Sequence, residues 1–328
     1  MRFLITGITG FAGPHLANLL DKEGHEVFGA IRCSNGRETD ILDTVNVNVF
    51  NKITFLNCDI TNNHNVVNVF KNYKFDGVFH LGAQSHPPTS FKDPELTFTT
   101  NIEGSANLIN AITETQKDTC KFMFCSTSEV YGNIGMDGRK ITEEDFIQPA
   151  NPYGVSKAAI DLYMQERMRN GYLNGFITRS FSHTGPRRGK NFSISSDAYR
   201  LALIKSGAKS DNILDIGNLD TTRVVLDVRD VVKAYYLLML SKDSNGKAFN
   251  ICGEVPRKMA FFTDKLIEIA KVKAEKKIHP DLYRKHDIFY QHGDTTLLQS
   301  ITGWKPEIEI EQTLIDLFNY WEYKIKNG

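Results

Sequence analysis

Two short stretches carry the residues whose types and spacing could do chemistry. Ser126-Thr127-Ser128-Glu129-Val130-Tyr131-Gly132 is followed about twenty residues later by Tyr153-Gly154-Val155-Ser156-Lys157, and together they supply a hydroxyl, a carboxylate, a phenol and an ammonium. Tyr153 and Lys157 stand at i and i+4, so on a helix they face the same side. The ammonium is then expected to depress the phenol pKa and bring a phenolate within reach of neutral pH. That is equipment for taking a proton from a sugar alcohol while its hydride leaves. Glu129 adds a second acid/base group that simple alcohol oxidation does not need; the alternative is an ordinary surface carboxylate. Lys157 as a solvated helix lysine and Tyr153 as a packed aromatic are the rival readings of the pair, and Thr127 at the end of a predicted strand argues against both.

These residues need a frame, and the first half of the chain predicts one. Short apolar runs at Phe3 to Thr6, Glu26 to Ile31, Ile53 to Asn57, Gly77 to Leu81 and Lys121 to Ser126 read as buried strands. Between them, Gly13 to Glu23, Asn65 to Tyr73 and Pro94 to Thr115 read as helices. This alternation predicts a doubly wound parallel α/β sheet with its site along the strand C-termini. Pro152 to Tyr172 reads as one long helix with Pro152 in its first turn, and Phe176 to Ser180 as a sixth strand. Beyond Thr184 come Gly/Pro/Arg-rich loops, a helix near Ser196 to Ser206, a strand at Ile213 to Ile216, a helix at Val228 to Leu240, and a final segment ending in Gly303-Trp304-Lys305-Pro306. This half is expected to finish the sheet and add a smaller lobe over its edge.

Composition narrows the class. The 328 residues carry 39 Lys+Arg and 39 Asp+Glu, so no global basic field suggests nucleic acid. Cys33, Cys58, Cys120, Cys125 and Cys252 lack CxxC or Cys/His metal spacing, which predicts no metal and a reduced, cytoplasmic setting. Met1-Arg2 leads straight into a strand and a glycine loop, and no run is long enough to span a membrane, so no membrane partner is expected.

Gly7-Ile8-Thr9-Gly10-Phe11-Ala12-Gly13 lies between the first strand and the first helix, where glycines let the backbone approach a pyrophosphate and the helix N-terminus supplies amide donors. At the end of the second strand, where an acid would favour NAD, the chain has Ala30-Ile31-Arg32 with Arg37 nearby. A guanidinium suits a 2′-phosphate, so NADP is the expected cofactor; the alternative leaves Arg32 as an exposed loop residue. Asp59 either meets the adenine ring or caps the next helix. Arg187-Arg188 is either a phosphate or subunit contact or an ordinary basic loop.

The glycine pattern, then Leu81-Gly82-Ala83, then Ser-Thr-Ser-Glu-Val-Tyr-Gly, then Tyr-x-x-x-Lys resembles the extended short-chain dehydrogenase/reductases over nearly the whole chain. Gly82-Ala83-Gln84-Ser85-His86, Gly185-Pro186-Arg187-Arg188-Gly189-Lys190-Asn191-Phe192 and Gly217-Asn218-Leu219-Asp220 with Arg223 narrow the resemblance to the GDP-mannose 4,6-dehydratases. It implies a Rossmann sheet mainly from residues 1–183 and a nucleotide-sugar lobe from 184–328, with some segments returning to the sheet, in a homodimer or homotetramer. Tyr153 becomes the base at the C4 hydroxyl, Lys157 its modulator and a holder of the nicotinamide ribose, Thr127 the partner of the C4 oxygen, and Glu129 the C5 base. The implied NADP contacts are Gly7, Thr9, Gly10, Phe11, Ala12 and Gly13, with Arg32, Asp59 and Ile60, and then Leu81, Gly82 and Ala83. The implied nucleotide-sugar contacts are Ser85, Ser182, Arg188, Asn191, Asn218, Arg223 and Arg284.

Three departures stand out: Ser182-His183 replaces an expected Asn-His, Pro87-Pro88 follows the Gln-Ser-His segment, and Val224 to Asp230 is closer to the 4-keto-6-deoxymannose reductases. The implied reaction converts GDP-mannose to GDP-4-keto-6-deoxymannose by moving hydride from C4 to C6 with loss of water. The alternatives are a GDP-4-keto-6-deoxymannose reductase, an enzyme that can also carry a glutamate at the position of Glu129, a dehydratase of another GDP-sugar (N-acetylhexosamine or heptose), or a non-catalytic dinucleotide sensor, which would commonly lose the Tyr/Lys pair.

Overall fold

The computed structural model describes residues 1–32, 36–283 and 288–327. In chain order the elements that position the site begin with β1 (Arg2–Thr6), α1 (Ala12–Lys22), β2 (Glu26–Ile31), β3 (Thr54–Asn57), α2 (Asn63–Asn72) and β4 (Gly77–His80). They continue with α3 (Gly104–Thr115), β5 (Lys121–Thr127), α4 (Pro152–Arg169) and β6 (Gly175–Ser180). The second half supplies α5 (Ser193–Ser206), β7 (Ile213–Ile216), α6 (Val228–Leu240), β8 (Ala248–Ile251), α7 (Met259–Ala270), β9 (Glu275–Ile278) and α8 (Ile310–Asn327).

Seven strands form one sheet in the order β8-β6-β5-β4-β1-β2-β3, with every pairing parallel. Strand order reverses between β1 and β4, so the loops after these two strands diverge and open a crevice at their C-terminal ends. Side chains alternate across the sheet. Phe3 and Ile5 join one core with Leu16, Leu20 and Tyr235, while Leu4 joins the other with Phe28, Phe122 and Met164. A third core belongs to the lobe, where Leu201, Leu214, Phe262, Leu266, Leu314 and Phe318 pack together. There β7 pairs in parallel with β9.

The predicted doubly wound sheet is observed, with three differences. Its seventh strand, β8, returns from far along the chain; the buried Asn250 interrupts its apolar run, so the pattern does not single it out. The chain does not end its structure at Trp304: α8 follows, closing the lobe core through Leu314, Leu317 and Phe318. The predicted helix from Pro94 to Thr115 is three pieces, Pro94–Phe98, a π-helical turn Thr99–Glu103, and α3. The π turn carries the buried Asn101, whose Nδ2 donates to Gln84 O and Ser156 Oγ, each at 2.9 Å, and whose Oδ1 accepts from Gln84 N at 2.8 Å. It thus ties the loop after β4 to α4.

Two glycines are required where the first loop meets the sheet. Gly7 has φ +71°, and a Cβ there would lie 2.7 Å from Gly82 N; a Cβ on Gly13 would lie 2.6 Å from Ile8 Cα.

The orientation of α4 is set by charge. Tyr153, Lys157 and Asp161 fall at i, i+4 and i+8 on one stripe. Asp161 is fully buried and meets a fork from Arg179 on β6, Nε at 3.0 Å and Nη2 at 2.9 Å, while Ser126 Oγ on β5 donates at 2.8 Å. Arg179→Met leaves that carboxylate buried without its cation. It is expected to lower unfolding free energy by about 3–5 kcal/mol, measured by urea denaturation, and to reduce turnover in step because the stripe can then rotate.

Candidate active site

A cavity of about 1380 Å³ runs along the C-terminal edge of the sheet and under the lobe. At the sheet end, Gly7, Thr9, Gly10, Phe11 and Ala12 line it together with Arg32, and across from them stand Asp59 and Ile60, then Leu81, Gly82 and Ala83. Gly10 N donates to Gly7 O at 2.9 Å, closing the loop beneath the start of α1. Gly13 does not line the cavity; it is buried and lets α1 sit against Ile8. Asp59 turns its Oδ1 to Thr61 N at 3.0 Å and Thr61 Oγ1 at 2.8 Å, while Asn62 caps α2. Of its two readings, the helix cap is therefore excluded.

A buried relay braces the loop after β4. His80 accepts or donates at both ring nitrogens, to Thr6 Oγ1 at 2.7 Å and to Ser105 Oγ at 2.8 Å, and Thr6 Oγ1 accepts from Gly82 N at 3.1 Å. Burial, with a smaller push from Lys157, lowers its pKa to about 3, so the ring is neutral and rigidly shared.

At the centre of the cavity the structure brings together Thr127, Glu129, Tyr153 and Lys157. Thr127 ends β5, Glu129 follows in a one-turn 3-10 helix, and the other two sit on the first turns of α4. Asn151 caps α4, its Oδ1 accepting from Gly154 N at 2.8 Å, and its Nδ2 donates to Glu129 Oε2 at 2.6 Å. One amide therefore fixes both the helix start and the carboxylate. Sequence reading passed over Asn151; the Asn-Pro pair at the head of α4 was the available signal. Pro87-Pro88 also gains a reason: they open a short helix whose Ser90 Oγ donates to Pro87 O at 2.7 Å and accepts from Tyr153 N at 3.0 Å.

The electrostatics differ from the expectation drawn from the i, i+4 spacing. Tyr153 is 8% exposed and Lys157 3%. Burial raises the phenol pKa, with further pushes from Cys125 and Glu129, against the pulls of the Thr127 hydroxyl and Arg188. Lys157 spends its ammonium on Cys125 O at 2.7 Å, above the Phe124 ring at 4.8 Å, and its own pKa falls because it is desolvated. Spacing showed that the two groups share a face; it did not show where the ammonium points.

At the lobe end, Ser85, Ser182, Arg188, Asn191, Asn218 and Arg223 all line the cavity, and Arg284 lies outside the described residues. The Arg188 guanidinium lies between Phe11, 4.8 Å from the ring, and Phe192, 3.5 Å, so it belongs to the cavity wall. Arg187 does something different. With φ +74° it bends back to donate to Gly10 O at 2.9 Å, Thr9 O at 3.1 Å, and Asp43, strapping the glycine loop. His183 stacks on Phe11 with centroids 5.7 Å apart, and burial lowers its pKa to about 4. Among the described residues no cluster of His, Cys, Asp or Glu has metal-site geometry, and no helix is long and apolar enough to cross a membrane.

The comparisons agree with this architecture. A family model described as GDP-mannose 4,6 dehydratase matches residues 4–317. A GDP-6-deoxy-D-mannose reductase of Pseudomonas aeruginosa is 34% identical over 252 residues, covering 76% of this chain and 82% of the reductase. A GDP-mannose 4,6 dehydratase of Cricetulus griseus is 29% identical over 341 residues, 96% of this chain and 89% of its own. The structure of RMD from Pseudomonas aeruginosa complexed with NADPH superposes with a TM-score of 0.83 at 28% identity, covering 98% of this chain and 99% of that one. A parallel sheet whose first crossover opens on a glycine loop, a Thr/Tyr/Lys/Glu centre and a match over almost the whole length make this chain a member of the GDP-mannose 4,6-dehydratase family.

Proposed function

We propose that the protein is a GDP-sugar 4,6-dehydratase using NADP, with GDP-mannose as the substrate and the 4-keto-6-deoxy sugar as the product. The observation that carries this reading is Glu129: a carboxylate held by Asn151 at 2.6 Å in the same cavity as Thr127 and Tyr153. Removal of the C5 proton needs a second base, which C4 oxidation or reduction alone does not.

The sheet end of the cavity fits a dinucleotide. Gly7 and Gly82 both line it and pack backbone to backbone with no room for a Cβ on Gly7, the first turn of α1 offers backbone N–H donors, and Arg32 stands exposed where β2 ends. Residues Gly7 to Ala12 would hold the pyrophosphate, Arg32 the 2′-phosphate, Asp59 and Ile60 the adenosine, and Leu81 to Ala83 the central backbone. When bound, the nicotinamide supplies a reversible acceptor for the C4 hydride.

The chain's own groups then divide the proton work. Tyr153 takes the C4 hydroxyl proton as phenolate, with Thr127 bonded to the same oxygen and Lys157 at the ribose. Its buried phenol is a weak acid, so the nearby positive charge of Arg188 and the Thr127 hydroxyl are what favour the anion. Once C4 is a ketone, the C5 hydrogen is acidic. Glu129 removes that proton and, as the conjugate acid, gives it to the departing C6 hydroxyl, which leaves as water, so one carboxylate serves both halves of the elimination. Return of the hydride to C6 and of a proton to C5 then saturates the C5–C6 double bond and gives the 4-keto-6-deoxy sugar. Ser85, Ser182, Asn191, Asn218, Arg223 and Arg188 bind the sugar and its diphosphate nucleotide.

A second reading, a GDP-4-keto-6-deoxymannose reductase, is favoured by the 34% identity to the Pseudomonas enzyme. Incubation with GDP-mannose separates them. The dehydratase forms the 4-keto-6-deoxy product with catalytic NADP⁺ and no net change at 340 nm. A reductase leaves GDP-mannose untouched and consumes NADPH with the keto sugar.

Tyr153→Phe and Glu129→Gln are each expected to lower kcat about 10²–10⁴-fold. Product NMR should separate them, because Glu129→Gln still exchanges hydride at C4 and so accumulates reduced cofactor, whereas Tyr153→Phe does not. Unchanged turnover in Tyr153→Phe would refute the assigned chemistry. Arg32→Ala is expected to weaken NADP⁺ by roughly tenfold or more while leaving NAD⁺ within about twofold, the loss of one charge-assisted contact; fluorescence titration of both dinucleotides reads the ratio.

A further inference from the structure

The lobe end of the cavity holds a carboxylate that the proposed proton transfers do not use. Asp197 sits on the second turn of α5, lines the cavity, and is only 5% exposed. Its helix neighbours Ile194, Ala198 and Leu201 belong to the apolar core of the lobe. Thr263 Oγ1, reaching across from α7, donates to Asp197 Oδ2 at 2.7 Å. Arg200 is the nearby cation, but its Nη1 is committed to Asp215 O. Burial pushes the carboxyl up to about 7, against the opposing pulls of Thr263 and Arg200.

An ionised carboxylate offers about four acceptor sites on two oxygens. Thr263 fills one. A group this buried and this poorly supplied is costly unless something else donates to it, and its open side is the cavity. If the dinucleotide fills the sheet end and the reacting sugar sits at Tyr153, the nucleoside of the substrate reaches the lobe end, where Asp197 and Asn218 both line the cavity.

The chemistry of the bases then discriminates. Guanine presents two adjacent donors, the ring N1–H and the exocyclic amine, which match two carboxylate oxygens. Adenine and cytosine present an amine beside an acceptor nitrogen, and uracil and thymine an N–H between two carbonyls, so each of these sets a lone pair against the carboxylate. Two donors would also stabilise the charged form against the burial that opposes it.

We infer that Asp197, held by Thr263, is a specificity-determining residue that reads the nucleobase of the sugar nucleotide, accepting from the guanine ring N–H and amine together. This inference rests on the proposed assignment of the cavity to a nucleotide sugar.

Calorimetric titration of the full chain with GDP, IDP, ADP and UDP tests it, because IDP is GDP without the exocyclic amine. The wild-type protein is expected to bind GDP roughly tenfold or more tighter than IDP, the loss of one hydrogen bond to a charged group, and ADP and UDP more weakly still. Asp197→Asn is expected to lose at least about tenfold in GDP affinity and to bring the GDP/IDP ratio close to one. NADPH binding and the melting temperature report that the variant is folded, and Thr263→Val, which frees the carboxylate's second oxygen, is expected to narrow the ratio without abolishing it. Equal affinity of the wild-type protein for GDP and IDP overturns the inference, and that measurement does not depend on any variant folding. An Asp197→Asn protein that keeps the wild-type ratio overturns it too. The two readings fail separately: turnover of GDP-mannose with no GDP/IDP preference removes the base assignment alone, and a strong preference without turnover removes the reaction alone.

Discussion

A carboxylate fully enclosed between a helix and a sheet must be neutralised where it stands, and the fork from Arg179 to Asp161 does this behind the stretch of cavity lined by Tyr153 and Lys157. Exchanging such a pair for well-packed apolar residues is often neutral or better for stability. Its value here is geometric. Arg179 is fixed in β6 and Ser126 in β5, so the carboxylate two turns beyond Tyr153 has one place to go, and α4 has one rotation that puts it there. Lys157 and Tyr153 follow on the same stripe. Every distance at the centre of the cavity inherits that setting.

The front of the same helix is held by smaller groups with equal economy. Asn151 caps α4 and grips Glu129; Ser90 receives the Tyr153 amide; Asn101, exposed inward by a π turn, reaches Ser156 one turn on. Three different segments thus converge on the first two turns of α4. Between these anchors the phenol lies in a dry environment that raises its pKa, so the positive charge of Arg188 and the Thr127 hydroxyl matter more than their distance along the chain suggests. In a low-dielectric site, partially screened charges act at longer range than in water.

Coupling between the two halves runs through Asp43. Its carboxylate meets Arg187 from the lobe side of the cavity loop, and Lys324 at 2.9 Å and Tyr320 at 2.9 Å on α8. These partners outweigh the burial that opposes them and hold the carboxyl below its usual range. Because Arg187 also grips Thr9 and Gly10, the glycine loop, the segment after β2 and the last helix of the lobe share one charge cluster. The backbone of Arg187, in a conformation that side chains rarely adopt, is the geometry this strap requires.

What the sequence by itself determined follows from local physics. Alternating apolar runs and helical periods define the first six strands, closely spaced glycines between strand and helix mark the first loop, and a four-residue repeat aligns Tyr153 with Lys157; each is a property of a few neighbouring residues. Only the tertiary structure decided the rest. The strand Ala248–Ile251, its apolar run broken by the buried Asn250, does not declare itself and is recruited by the free edge of β6. Glu129 and Asn151 meet across a loop of more than twenty residues, and Asp197 meets Thr263 across sixty-six. The direction of the Lys157 ammonium and the sign of the shift on Tyr153 depend on which atoms surround them and how little water remains, and no spacing along the chain encodes a dielectric.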